Sequence, residues 1–497
     1  MRLAFAVLFL IATVSAAGRP AAAATPAALP STVRVNILGL GSPYVVIGST
    51  GILSAIGPDG ALLYRGTGAA LARTNVRSVV SAGIELPEAG SIGSLNREER
   101  ADRVALQHEA RAALADGGPR SIVTVPFELS LITSSGSTTG KVVLVGARIA
   151  GVRFSVNDGL LTVNGRVYRG VFELAADDEG DMIVVNEVST HDYLVSVVGS
   201  EAPTSWEPDT LAAQAIAART YLYTHLGKHQ RYDLEGDTRD QAYDGTVKED
   251  AKALRAVDRT AGLILTYRGA PIEALYSASA GGVTEDSENV FAFALPYLRS
   301  VPSPTDQIAL GTSWGASSWR WTKELSASQL RDQLERRGLK IGTPTAIQLT
   351  SVSPTGRVLA ARIVGTAGSQ DIGKDRSRYY FGLLSTLFTV TATPTGANER
   401  VAASDTARIG ALEALGAHVT QTAFDVLVDG TGNELGLRAT AYVYELPARF
   451  VFSGKGFGHG VGMSQWGAQG LALAGSSYAQ ILAHYYVGTA LTSVGGG

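Results

Sequence analysis

The chain has 497 residues, a formal net charge of −3 and no cysteine. Without cysteine there are no disulfides, thiolate metal sites or cysteine nucleophiles, and a slightly acidic chain with no basic block argues against a nucleic-acid partner. At roughly 150 residues per domain the length suggests about three domains, each relying on its core rather than on cross-links.

The first 24 residues place Arg2 before an apolar run from Leu3 to about Val14 and a small-residue stretch ending Ala22-Ala23-Ala24. That is the pattern of a secretory signal peptide cleaved after Ala24, and the run is short for a transmembrane span of roughly 20 residues. The expectation is an exported, cell-envelope protein with no transmembrane anchor; an uncleaved N-terminal anchor is the alternative. Short strand-like runs follow at Val33–Leu38, Tyr44–Ile47, Ile52–Ile56 and Leu62–Tyr64, parted by turns such as Pro58-Asp59-Gly60. Arg97–Ala115, rich in helix formers and ended by Gly117-Gly118-Pro119, reads as a helix. Strands resume at Ile122–Ile132, Lys141–Ile149, Val152–Val156 and Leu160–Tyr168, with hairpin signals at Asn157-Asp158-Gly159 and Asn164-Gly165. The chain is expected to be α+β. A signal peptide (1–24) and a mostly β region (25–185) precede a mixed helix and strand core (186–390), an insertion (391–440) and a glycine-rich return to the core (441–497).

The stretch from Asn186 to Gly245 is the most informative. Asp192–Val198 reads as a short helix stopped by Gly199, and Pro208 opens a long one in which Leu211, Ala215, Ala218, Leu222 and Leu226 recur at helical spacing. Glu201 falls in the expected break, beside Pro203 and Trp206. Charged loop residues are usually solvated, and locally that is its first reading. The competing reading is a glutamate among apolar groups whose raised pKa lets it donate a proton near neutrality. Arg219 reads locally as snorkelling to solvent; alternatively it pairs with Glu201 or holds a substrate oxygen. In the polar loop 228–245, Asp233, Glu235 and Asp237 resemble the opening of a calcium loop. The glycine and closing glutamate of such a loop are missing, so a solvated loop is expected.

Ala251–Gly262 reads as a helix, and Ile264–Tyr267 with Ile272–Tyr276 as a hairpin. The segment Ser277-Ala278-Ser279-Ala280-Gly281-Gly282 reads as a turn whose small residues admit close approach to the backbone. Trp314, Trp319 and Trp321 read as core or a packing edge, and Ser326 with Gln329 as a capping box. Gly454, Gly456, Gly458, Gly460 and Gly462 alternate with larger residues; if extended, all five line one bare face, open to a flat ligand or another chain. Their spacing supports neither a dinucleotide site nor a P-loop. His459 alone reads as structural. Ser464 is expected to cap a helix to Ala474, and Ser476 or Ser477 a last one.

Three blocks together resemble the SpoIID/LytB family, the stage II sporulation protein D group that includes amidase enhancers. The first is Tyr193-Leu194 through Glu201-Ala202-Pro203, with Gln214-Ala215-Ile216-Ala217-Ala218-Arg219-Thr220-Tyr221. The second is Tyr276-Ser277-Ala278-Ser279-Ala280-Gly281-Gly282, and the third Gly458-His459-Gly460-Val461-Gly462-Met463-Ser464-Gln465-Trp466-Gly467-Ala468. The resemblance implies a peptidoglycan lytic transglycosylase. It would cut between N-acetylmuramic acid and N-acetylglucosamine in strands lacking stem peptides, with Glu201 as acid and base and a 1,6-anhydro product. It further implies a substrate cleft drawn from Arg219, Gln241, Tyr243, Tyr276, Ser279, His459 and Gln465. The alternative is a non-catalytic, wall-bound enhancer of an N-acetylmuramoyl-L-alanine amidase. Some members bind zinc through Cys and His before the Gln-x-Tyr element; Asp237-Thr238-Arg239-Asp240-Gln241 has neither. No metal and no cofactor is therefore expected. The expected partners are glycan strands and, in the enhancer reading, a cell-wall amidase. The stretches 90–120 and 400–437 look like additions to the family pattern.

Overall fold

A computed structural model describes residues 28–38, 44–57, 60–66, 69–74, 127–132, 138–144, 151–176, 182–393, 399–414, 418–445 and 449–495. The expected signal peptide and the Arg97–Ala115 helix lie outside these residues. The first described elements are strands: β1 (Thr32–Asn36), β2 (Tyr44–Ser49), β3 (Ile52–Ile56), β4 (Leu62–Gly66), β5 (Ala69–Thr74) and β6 (Phe127–Ile132). They continue as β7 (Thr138–Leu144), β8 (Val152–Asn157), β9 (Leu161–Val163), β10 (Arg166–Tyr168), β11 (Val171–Ala176) and β12 (Met182–Ser189). With β13 (Leu234–Glu235) they form two sheets, β13-β1-β12-β11-β8-β3-β4 and β10-β9-β2-β5-β6-β7. Alternation explains the first: Val33 and Val35 are fully buried while Thr32 and Arg34 are not.

The two hairpin signals resolve differently. Asn164 and Gly165 have φ of 48° and 81° and join β9 to β10, as a primed turn requires. Asn157-Asp158-Gly159 is not a hairpin: β8 pairs with β3 and β11, whereas β9 pairs with β2 and β10. Asp158, at φ 53°, turns the chain from one sheet to the other.

Three helices then build the centre: α1 (Thr190–Glu201), α2 (Pro208–His225) and α3 (Ala251–Arg259). The expected stop at Gly199 does not occur, and α1 runs on so that Glu201 is its last residue. Gly199 is small for a different reason: a Cβ there would lie 1.9 Å from the Lys248 carbonyl oxygen, so the glycine admits a crossing segment. Helix α2 is buried on every side from Thr210 to Leu222, not along one stripe. Its Leu211, Ala215, Ala218 and Leu222 share a core with the strand residues Val33, Val35 and Phe154. Its Ala213, Ile216 and Ala217 pack instead with Leu482, Tyr485 and Tyr486 from the C-terminal helix Tyr478–Tyr485 and its cap. Each Leu or Ile so buried contributes about 1.5–3 kcal/mol. The N-terminal strands and the C-terminal helices are thus held together through α2.

Downstream, Arg320–Ser326, Arg449–Lys455 and Phe388–Thr393 form a three-stranded sheet beside the helix Ala327–Arg336, whose Ser326/Gln329 capping box is present. The strands Glu399–Ala402, Glu434–Glu445 and His418–Val428 make a separate sheet with a small core of Val401, Leu412 and Tyr444. Among the described residues, no helix is long and apolar enough to cross a membrane.

The glycine run departs from the extended reading. Only Gly454 lies in a strand; Gly456, Gly458, Gly460 and Gly462 have φ of 80°, 105°, 75° and 74°. Such angles suit glycine alone, and the run folds against its own chain. Phe457 exchanges backbone hydrogen bonds with Ser279, and a Cβ on Gly462 would lie 2.0 Å from the Leu275 carbonyl oxygen. The bare face seats residues 275–281 of the same molecule.

Candidate functional site

Glu201, half-buried at the end of α1, is where the three sequence blocks meet. Its Oε1 accepts a hydrogen bond from the Ala242 backbone N–H at 2.6 Å, and its Oε2 one from Gln465 Nε2 at 3.4 Å. The same Gln465 amide donates to Gln214 Oε1 at 3.3 Å. Gln465 opens the helix Gln465–Leu473, which Ser464 caps by accepting from the Gly467 N–H. From that helix Gln469 Oε1 accepts from Glu207 N and from Thr210 Oγ1 at 3.0 and 2.8 Å, so it caps the start of α2. The link from Glu201 to α2 is therefore fastened to the element that carries Gln465.

The loop that supplies the Ala242 N–H is not solvated as expected. Asp240, whose side chain is fully buried, accepts from Tyr221 OH, Lys228 Nζ and Glu235 N at 2.8, 2.6 and 2.8 Å. Burial and the nearby Asp240 carboxylate push the Tyr221 hydroxyl far above its ordinary pKa. Gln241, also fully buried, accepts from Tyr193 OH at 3.0 Å and donates to the Ala218 carbonyl at 3.3 Å. Asp233, Glu235 and Asp237 are occupied by backbone N–H groups and by Arg239. Among the described residues, no three His, Cys, Asp or Glu side chains cluster to hold a metal ion.

Tyr276 stands on the second block, paired in parallel with Met463. Its hydroxyl, beside Gln241 and in the field of Glu201, is buried and makes no hydrogen bond of good geometry among the described residues. Burial first, and the Glu201 charge second, hold it well above the usual tyrosine range. Gln214 Nε2 is likewise buried without a partner among the described residues. An unmade buried hydrogen bond costs about 1–3 kcal/mol, so both groups are donors that a water or a polar ligand beside Glu201 would satisfy.

The other expected cleft residues lie behind this point. Arg219 neither snorkels nor pairs with Glu201. It is 3% exposed and donates to the carbonyls of Thr260, Leu263 and Val257 at 2.8, 3.1 and 3.1 Å, closing the C-terminal end of α3. Burial lowers its pKa to about 10, so it is still a cation at neutral pH. Tyr243 sits in the core against Tyr168 and Tyr193, its hydroxyl donating to Asn186 Oδ1 at 2.8 Å. Ser279 is fully buried, its Oγ accepting from the Gly281 N–H. His459 Nδ1 accepts from the Val461 N–H at 3.0 Å and the ring also bonds the Tyr276 backbone, so it clamps the glycine run to the Tyr276 strand. Burial, with Arg378 and Arg357 nearby, pulls its pKa down to about 4.

Three participants escape a reading of the sequence. The Ala242 N–H is backbone and leaves no residue signature. Asp240 falls inside a loop expected to be solvated, and Gln214 stands in the first block without a role of its own. A fourth, Asp306, is fully buried and accepts from Ser464 Oγ at 2.6 Å and from the Gly282 N–H at 3.1 Å, tying the second block to the third.

Residues 178–267 match the SpoIID family, described as Stage II sporulation protein, and residues 311–403 match a domain of unknown function (DUF8618). An uncharacterized protein of Brachyspira hyodysenteriae is 29% identical over 383 residues, which is 75% of this chain and 87% of that protein. The amidase enhancer of Bacillus subtilis is 31% identical over 307 residues, 60% of this chain but only 40% of the enhancer. Stage II sporulation protein D of B. subtilis is 28% identical over 331 residues, 62% of this chain and 76% of its own length.

Proposed function

From the premise that this chain carries a SpoIID-family domain, we propose that it acts on peptidoglycan as a lytic transglycosylase, with Glu201 as its one catalytic carboxylate. The observation that carries this is the setting of Glu201: two amide donors hold the carboxylate, and the buried Tyr276 hydroxyl and Gln214 amide lie beside it. Of the carboxylates on the facing loop, Asp240 is bound by three donors of its own and Asp244 is ion-paired with Arg166 at 2.9 Å. A hydrolase needs a second free carboxylate for water or for a glycosyl intermediate. A transglycosylase does not, because the substrate provides the nucleophile.

In the acid form Glu201 protonates the glycosidic oxygen between N-acetylmuramic acid and N-acetylglucosamine, and the C1–O bond breaks. The carboxylate then takes the proton of the muramyl C6 hydroxyl as O6 bonds to C1. This leaves a 1,6-anhydro end and returns Glu201 to its starting state. Fixed donors at Ala242 and Gln465 keep the carboxylate oriented through both steps. The protein works outside the cytoplasm, delivered by its N-terminal segment, on strands freed of stem peptides.

The similarity to an amidase enhancer favours one other reading, a glycan-binding activator of an amidase that does not use Glu201 chemically. The Glu201→Gln variant separates the two. In a transglycosylase it loses roughly 10²–10⁴ of the rate at which stripped strands are cut, with folding intact. If the parent cuts nothing, yet stimulates an amidase as well as the variant does, the enzyme reading falls.

A further inference from the structure

Trp314 was expected in the core or at a packing edge, yet it is 55% exposed. The rings beneath it are not: Trp206 is 8% exposed and Trp466 4%. The Trp314 ring lies 4.8 Å from the Trp466 ring at 34° and 6.5 Å from Trp206 at 26°, while Trp206 and Trp466 are 4.8 Å apart. One indole is thus backed by two buried ones and held at a fixed angle. The backbone enforces the contact, since a Cβ on Gly315 would lie 2.4 Å from Trp466 Cζ2, and Thr312 Oγ1 accepts from the Gly315 N–H to close the turn.

The cluster belongs to the neighbourhood of Glu201 by two routes. Trp466 follows Gln465, the residue whose amide reaches Glu201, at one Cα step of about 3.8 Å. Trp206 ends the turn that leaves Glu201, its N–H donating to the Pro203 carbonyl. Trp314 thus presents a large apolar face to water on a rigid, buried aromatic base. A rigid, backed aromatic face is what the axial C–H face of a pyranose ring stacks upon, with little conformational entropy to lose.

We propose that Trp314 is a stacking platform for a sugar ring of the glycan strand next to the cleaved bond, a subsite built on Trp206 and Trp466. The proposal rests on the glycan-directed reading of Glu201, but it concerns binding and not the chemical step. It therefore stands if the strand is bound and never cut.

The test uses the full chain as Glu201→Gln, so that strands are bound without turnover. Titration calorimetry with stripped glycan strands should show roughly tenfold weaker binding when Trp314→Ala is added, and most of the affinity kept in Trp314→Phe. In the Glu201→Gln protein itself, bound glycan should protect Trp314 from N-bromosuccinimide oxidation, read by peptide mass spectrometry. This second measurement decides the matter should Trp314→Ala fail to fold. Unchanged affinity in the alanine variant, or a Trp314 oxidised at the same rate with and without glycan, overturns the platform. Failure of the Glu201→Gln protein to bind any strand overturns both the platform and the reading beneath it. Trp314-dependent binding by a parent protein that cuts nothing overturns the transglycosylase alone.

Discussion

Arg219 shows how residue type and residue role part company. Its place in a family block invites a substrate contact, but three backbone carbonyls use its guanidinium to finish α3. Arg219→Ala should therefore cost roughly 2–4 kcal/mol in urea unfolding, because buried carbonyls are left unmade. A variant of full stability with a raised KM would instead return Arg219 to the cleft. His459 carries a pH signature. Its folded pKa of about 4 lies below the ordinary histidine value of about 6.5, so below pH 6.5 the unfolded chain takes up a proton that the folded chain refuses. Stability from the neutral ring is complete above pH 6.5 and is lost as the pH falls towards 4, by up to about 3 kcal/mol. Urea titrations of parent and His459→Gln across that window should show the steeper decline in the parent; parallel curves would contradict a ring held neutral in the folded chain.

At the scale of elements, two segments do the positioning. The loop from Leu234 to Ala242 is pinned by Asp240 and Gln241 so that one backbone N–H meets Glu201. Asp240→Ala should lower kcat roughly tenfold or more while KM changes less, since a carboxylate misplaced by even an ångström is penalised in the transition state. A change confined to KM would mean the loop contacts substrate directly. The glycine run is the second segment. Gly460→Ala sets a Cβ 2.1 Å from buried Arg357 Nη2 at a φ of 75°, so a loss of roughly 2–4 kcal/mol or an insoluble product is expected on thermal melting.

These segments also show what could be read in advance. Helices announced by caps and period were legible, including α2 from Pro208 and the Ser326 capping box, because their signals are local. Glu201, Tyr276 and Gln465 stand near one another although they come from three distant blocks, a grouping that only the family resemblance suggested. The course of the glycine run was not legible, because its shape is set by residues 275–281, nearly two hundred positions away. Nor was the length of α1: a glycine spared for a tertiary contact carries the same letter as a glycine spared for a turn. Gln214 and Asp240 were missed because a polar residue's meaning depends on whether it is buried, which no local pattern states.

On the scale of the whole molecule, one alanine-rich helix joins the N-terminal sheets to the C-terminal helices. Helix α2 gives one face to the N-terminal sheets and another to the C-terminal helices, and its start is capped by Gln469 beside the site. The site is therefore assembled when the N-terminal sheets and the C-terminal helices have both packed on α2. In the proposed chemistry a single carboxylate cuts the strand with the substrate's own hydroxyl. Digestion of stripped glycan strands in heavy-oxygen water tests it most directly, because the two chemistries differ in where the new oxygen comes from. The expected products are 1,6-anhydro-muramyl ends carrying no solvent oxygen, with none released by Glu201→Gln. Reducing ends bearing one heavy oxygen would contradict it and require a second catalytic carboxylate.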